Sequence, residues 1–337
     1  MALTEVYVDP SIAGDSGAGS SGDPYGDLEY ALEQVTRDTS NGDRFNVKAG
    51  TDEVLEFALD IVTDYGTPTE AAPLVFQGYT TAAGDGGIGG ISGGGSVAIV
   101  DLTTLDYVAF IDLHLHNTGS AQIVDLDFNC SLIRCEIDNS TGTGKNIELA
   151  WYAVIMGCHI HNHAGDTSFL AGIAAFNYFE NGANDFTTAL FCNGVGVAFR
   201  NIVKIDGASD GISAGEHAVV TQNSIFSNAG TGSGLVVQHA TRPLLISNNL
   251  VEGFSGAGGK GVETVGNETR VVVYTANSVY DNTTEYEAID DYVLAEWASN
   301  ETLSASPFTD AVNGDFSPVD TGAVKEGAAP SDFGEGQ

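Results

Sequence analysis

An all-β solenoid, wound as a parallel β-helix, is the fold class this sequence predicts. Three observations predict it. A five-residue phrase with one inside/outside pattern returns along the chain, it returns at steps suited to one solenoid circuit, and 43 glycines fit a chain that turns every few residues.

The phrase is clearest at Cys158-His159-Ile160-His161-Asn162. It recurs as Leu113-His114-Leu115-His116-Asn117, Cys135-Glu136-Ile137-Asp138-Asn139, Asn177-Tyr178-Phe179-Glu180-Asn181, Val203-Lys204-Ile205-Asp206-Gly207, Asn223-Ser224-Ile225-Phe226-Ser227, Asn248-Asn249-Leu250-Val251-Glu252 and Asn277-Ser278-Val279-Tyr280-Asp281. Aligned on their first residues, the copies lie 22, 23, 19, 26, 20, 25 and 29 residues apart. Each reads as a short strand, central apolar residue inward and its two neighbours outward, because side chains alternate across a strand. The β-branched, Asn and Gly content disfavours a helical repeat, and no leucine-rich-repeat signature is present. Three strands and three turns per circuit use about 22 residues, with circuits stacked about 4.8 Å apart. One inward ladder is then Leu115, Ile137, Ile160, Phe179, Ile205, Ile225, Leu250 and Val279, and Asn223, Asn248 and Asn277 form a candidate buried amide ladder.

Residues 1–40 read as a start module. Val6-Tyr7-Val8 is a strand, Asp9 to Tyr25 a Gly/Ser/Asp-rich loop, and Asp27 the cap of a helix over Leu28 to Thr36 whose apolar residues share a face. Such a helix suits the open apolar end of a solenoid as an N-terminal plug. Residues 41–282 are the coils, beginning with strands at Phe45-Asn46-Val47 and Leu74-Val75-Phe76 and a second helix over Val54 to Tyr65. The run Gly84 to Ser96 lacks the phosphate-loop and dinucleotide fingerprints and reads as a mobile loop. Residues 283–337 close the chain, with a helix or strand pair over Tyr286 to Trp297 and an acidic tail from 310 that wraps back along the coils or meets a neighbouring subunit.

The phrases Tyr7-Val8-Asp9-Pro10, Asp23-Pro24-Tyr25-Gly26-Asp27-Leu28, Ala31-Leu32 and Val47-Lys48-Ala49-Gly50 resemble the opening of right-handed parallel β-helix proteins of the pectate-lyase-like superfamily. Ser306-Pro307-Phe308 and Asn313-Gly314-Asp315-Phe316 resemble their closing phrase, although Thr321-Gly322-Ala323 replaces the usual Gly-Ser-Pro-Ala. The resemblance spans nearly the whole chain and implies a single right-handed β-helix. It does not fix an activity, since the superfamily holds lyases, hydrolases, phage tailspikes and inert surface proteins.

Composition narrows the partners. Against 11 basic side chains stand 46 acidic ones, a formal net charge of -35. Such a surface repels nucleic acid and anionic membranes and, with lysine so scarce, suits a protein kept hydrated in high salt. The longest apolar stretch, Leu149 to Cys158, is too short to insert in a membrane, and Met1 to Glu5 carries no sign of a signal peptide. Synthesis in the host cytoplasm and release within a virus particle is consistent with both. Of the four cysteines, Cys135 and Cys158 fall in one inward column, and no spacing among Cys130, Cys135, Cys158 and Cys192 matches a zinc motif, so free stacked thiols are expected.

Stacking the phrases sets one outward column as His114, Glu136, His159, Tyr178, Lys204, Ser224 and the other as His116, Asp138, His161, Glu180, Asp206, Phe226. Five of the seven histidines, counting His163, thereby gather on one face. Three chemistries fit. His114, His159 and Glu136 are candidate ligands for a divalent metal, although no cofactor is required. Glu136 and Asp138 are candidate acid and base for a glycosidic bond, or carboxylates holding a cation beside Arg134, Arg200 or Lys204 in a lyase. The face with His114, His116, His159, His161, Glu180 and Asp206 is alternatively a ligand-binding or purely structural polar sheet with cross-coil hydrogen bonds. The Gly-His-Gly and Arg-Ile-Lys phrases of polygalacturonase-like enzymes are missing, Asp290-Asp291 lies beyond the coils, and Ser209-Asp210-Gly211-Ile212 only faintly resembles their Asn-Thr-Asp phrase.

The expectation is a non-enzymatic virion surface protein of a halophilic host's virus, a capsid appendage or tail receptor-binding component. Viral proteins that this fold resembles imply a homotrimer, other virion proteins and a host surface glycan or glycoprotein as partners. The alternative is a polysaccharide-degrading enzyme, lyase or glycoside hydrolase, or a carbohydrate-binding surface protein.

Overall fold

A computed structural model describes residues 2–319 apart from 95–97, 102–104, 118–122, 140–146, 163–166, 181–186, 239–242, 266–270, 288–292 and 297–299. Contacts divide the chain into two compact units, Met1–His163 and Ala164–Gln337. Both are stacks of parallel strands, and the chain is a parallel β-solenoid.

In the first unit, Thr4–Val8, Asp43–Lys48, Leu74–Tyr79, Val108–Ile111, Ser131–Ile133 and the end of Ile147–Met156 make one strip. Its register stacks Val6, Phe45, Phe76, Phe110, Leu132 and Ile155 inward, all buried, with the Phe76 and Phe110 rings stacked at 5.0 Å. A second strip runs through Glu53–Val54, Gly89–Ser92, Leu113–Asn117, Glu136–Asn139 and His159–His161, and its inward ladder is Glu53, Ile91, Leu115, Ile137 and Ile160. Val100–Asp101, Val124–Leu126 and the start of Ile147–Met156 make the third.

The bend from first strip to second is made by one left-handed residue per coil. Asp112, Arg134 and Gly157 fill this place in the first unit, and Phe176, Arg200, Gln222, Asn248 and Ala276 in the second, with φ from 53° to 66°. Only one is glycine, so most of these turns carry backbone strain of about 1–2 kcal/mol. The next residue along the chain offsets that strain. In the second unit this residue is Asn177, Asn201, Asn223, Asn249 or Asn277, and Asn300 extends the series; each Oδ1 from Asn201 onward accepts the backbone N–H and side-chain Nδ2–H of the preceding asparagine at 2.8–3.1 Å. The Nδ2–H groups also reach carbonyls of the neighbouring strip, so the buried amides are satisfied. The corresponding place in the first unit holds Leu113, Cys135 and Cys158, and the Cys158 Sγ accepts the Cys135 N–H at 3.4 Å as an asparagine Oδ1 would. All four cysteines are buried, and none is in a disulfide.

The amide ladder corrects the sequence alignment. Asn223 and Asn277 belong to it, but Asn249 replaces Asn248, which is itself the left-handed residue. The inward ladder is Phe179, Val203, Ile225, Val251 and Val279, so Val203 and Val251 stand where Ile205 and Leu250 were expected. Loops of unequal length between phrases moved those two copies out of phase.

The helix spans Leu28–Gln34; Asp27 accepts the Tyr30 N–H, and Leu28, Ala31 and Leu32 are buried. The second helix shrinks to Ile61–Asp64, because Glu53–Val54 is already a strand. Within the glycine run Gly89–Ser92 is also a strand, not a loop; a Cβ on Gly89 would lie 2.4 Å from the Val47 carbonyl oxygen. Thr284–Tyr286 and Val293–Glu296 are parallel rungs that pair with earlier coils. Beyond them, Phe308–Asp310 and Asp315–Pro318 form an antiparallel hairpin that folds back: Phe308, Ala311 and Phe316 pack on Ile202, Phe226 and Leu250. The described part of the tail therefore wraps along its own coils.

Candidate functional site

The second strip of the first unit presents the histidine face. Ile137, in register with Leu115 and Ile160, points inward, which forces the flanking residues of the same strands outward. His114, Glu136 and His159 accordingly form one column and His116, Asp138 and His161 the other, as the sequence predicts. Rings two residues apart stack, His114 on His116 at 4.7 Å and His159 on His161 at 4.3 Å.

The polar contacts run diagonally between columns. His114 Nε2 meets Asp138 Oδ2 at 2.9 Å, and His161 Nε2 meets Glu136 Oε1 at 3.0 Å. Asn162 donates to His161 Nδ1 at 2.9 Å, which places the proton of the neutral ring on Nε2, facing Glu136. His116 Nε2 is 3.0 Å from Asp52 Oδ2. Sequence reasoning missed Asp52 and Asn162. Gly90, in register with His114, was the available signal for Asp52: a Cβ there would fall 1.8 Å from Asp52 Oδ1, so the carboxylate occupies a side chain's place.

The network separates the ionisation of its members. The His161 hydrogen bond, against half-burial and helped by the fields of His114, His161 and His159, holds Glu136 below the ordinary glutamate range. Burial works against the His114 imidazolium, but the Asp138 hydrogen bond and the fields of Glu136, Asp138 and Asp52 outweigh it and hold the ring above its ordinary value. A carboxylate favoured in its charged form and an imidazole favoured in its protonated form lie together, for donor atoms of His114, Glu136 and Asp138 fall within 4.8 Å of one another.

Two more donor sets have the same compactness, Asp52 with His114 and His116, and Glu136 with His159 and His161. The expected metal set of His114, His159 and Glu136 is thus split: Glu136 joins His159 through His161 and joins His114 through Asp138, because the side chains lean diagonally.

Other candidates fall elsewhere. Glu180 and Asp206 belong to the second unit and do not share a column; Glu180 is in register with Lys204 and bonds its Nζ at 2.9 Å, while Asp206 accepts the Asn228 N–H. The basic residues of a lyase reading are engaged. Arg134 makes two 2.7 Å bonds to Asp112, Arg200 donates to Gln222 and lies over the Phe199 ring, and Lys204 holds Glu180. Asp210 accepts the Ser233 N–H, a structural task. His163 and Asp290-Asp291 lie outside the described residues. Burial pushes the Cys130 and Cys192 thiols up to about 12, which leaves them inert at neutral pH.

Fold and face together define a parallel β-solenoid with a solvent-open histidine–carboxylate network on one strip. No family model matches the sequence, and no curated protein matches it. Among solved structures, two of the GH136 lacto-N-biosidase from Eubacterium ramulus are similar. The selenomethionine derivative superposes with TM-score 0.56 at 12% identity over 88% of this chain and 68% of that one. The native form gives 0.51 at 12% identity, over 88% and 67%. The deglycosylated pectin methylesterase from Aspergillus niger gives 0.40 at 12% identity, over 93% and 94%. At this identity the likeness is one of fold.

Proposed function

We propose that the chain acts on a glycan at the histidine–carboxylate face. The observation that carries this reading is the diagonal pairing, which lowers the Glu136 carboxyl and raises the His114 ring from their ordinary values with donor atoms within 4.8 Å of each other. Groups pushed apart in this way suit nucleophile and acid roles in one reaction. In hydrolysis of a glycosidic bond, the short separation leaves no room for a water between the two groups. Glu136 therefore bonds the anomeric carbon as that carbon's bond to the departing oxygen breaks, and a water that gives its proton to the then neutral His114 displaces Glu136 afterwards. The His114 imidazolium gives its proton to the departing oxygen, and Asp138 is a positioning residue for that ring. A neutral glycan fits best, since a polyuronate meets a chain of net charge -35. The lacto-N-biosidase of similar fold is consistent with this reading.

The test is turnover of a panel of neutral oligosaccharides by the native chain, Glu136→Gln and His114→Gln. Turnover that both substitutions reduce by 100-fold or so supports the reading. Turnover unaffected by either substitution sinks it. Binding without turnover moves the assignment to the non-catalytic surface protein, with a virus particle of a salt-adapted host as its setting.

One observation favours a second reading. Glu136, His159 and His161 offer two imidazoles and a carboxylate, a donor set suited to zinc with one position open. Stoichiometric zinc by elemental analysis, lost in His161→Ala, would establish it.

A further inference from the structure

We infer that the first strip of the second unit, the one preceding the left-handed turns, is where a second copy of this chain docks. In the second unit its outward positions stack Ile173, Val197, Val219, Leu245 and Val273 in one column and Ala175, Phe199, Thr221, Ser247 and Thr275 in the next. None of these side chains is charged. Ile173 is 46% exposed, and a flanking turn adds Val195 at 49%.

The other strips differ. Asp125 is in register with Glu148, Thr188 with Asp210, and Val236 with Glu263 on the third strip, where Lys260 pairs with Glu263 and Glu287. The second strip carries the histidine–carboxylate network in the first unit, and in the second its Ile202, Phe226 and Leu250 are covered by the hairpin of Phe308 and Phe316.

Charge decides the occupant. Two molecules of net charge -35 repel wherever carboxylates meet, so copies approach most closely through the rungs from Ile173 to Thr275, whose outward side chains carry none. A basic partner would be drawn to the carboxylate-bearing strips instead. The strip also matches itself in shape: β-branched residues repeat at the spacing of the rungs, about 4.8 Å, so the ridges of one copy fit the grooves of another. Exposed apolar columns of this extent on a strongly charged chain mark an association surface.

The inference is independent of the glycan reading, because the strip and the histidine face are made by different strands. Size-exclusion chromatography with light scattering, in low and in molar salt, tests it on the native chain, Ile173→Lys and Val219→Glu. The expected result is a native assembly larger than one chain, strengthened by salt, with both variants reduced to the mass of a single chain while keeping the native β circular dichroism. A native chain that stays monomeric in both conditions overturns the inference and leaves the strip to a different protein. So does association of Ile173→Lys equal to that of the native chain. Because Ile173 is 46% exposed, that variant removes little packing and decides the matter even if Val219→Glu fails to fold.

Discussion

His161 reaches across the coil to Glu136 and not to Asp138, the residue with which its own backbone is in register. The diagonal contact ties two neighbouring coils at the face where chemistry is proposed, and it fixes how the face responds to pH.

Glu136 has a lowered folded value, so its stabilisation is present above the ordinary glutamate value and is lost as pH falls through the folded one. His114 has a raised value, so its share is present below the ordinary imidazole value and is lost as pH rises through the folded one. A glycan-cleaving activity would follow a bell, rising with ionisation of Glu136 and falling with deprotonation of His114. Glu136→Gln should abolish the acid limb and, because the carboxylate is partly solvated, cost at most about 1 kcal/mol of stability. A pH–rate profile and a melting curve for each protein check the pair of effects.

Glu53 gives the opposite sign. It occupies the inward position in register with Ile91, accepts the backbone N–H of Leu28 at the start of the helix, and is pushed by burial to about 7. A raised carboxyl favours folding below pH 4.5 or so and loses that advantage as pH climbs to about 7, by up to about 3 kcal/mol. Glu53→Gln keeps an acceptor for Leu28 and should raise the melting temperature at pH 8 while leaving that at pH 4 nearly unchanged. Equal shifts at both pH values would refute this.

The two neighbouring asparagines Asn248 and Asn249 should part company. Asn249→Ala breaks the amide ladder between Asn223 and Asn277 and should cost about 3 kcal/mol in denaturant unfolding. Asn248→Gly relieves a residue at φ 56° and should be neutral or stabilising by about 1 kcal/mol.

Dense carboxylates predict a salt response. With a net charge of -35, the native chain should melt higher in molar potassium chloride than in dilute buffer, a shift that calorimetry would register.

Much of this was legible because a strand's period of two needs only a short phrase to be read. His114, Glu136 and His159 fell in one column, and His116, Asp138 and His161 in the other, from spacing alone. Spacing does not carry side-chain direction, so the diagonal bonds and the place of Asp52 required coordinates. Register failed where loops vary in length: Val203 and Ile205 are both apolar at alternate positions, and only the bond from Asn201 to Asn223 chooses between them. The sequence likewise holds no local mark that Phe316 belongs beside Phe226, since that contact joins segments far apart along the chain.

That late contact has a consequence for synthesis. Ile202, Phe226 and Leu250 leave the ribosome well before Phe308 and Phe316 can cover them. During that interval the growing chain shows a bare greasy patch to its surroundings. Slow translation of the last coils, or loss of the final residues by premature termination, would therefore lead first to nascent chains sticking together, before any defect in the finished molecule could be seen.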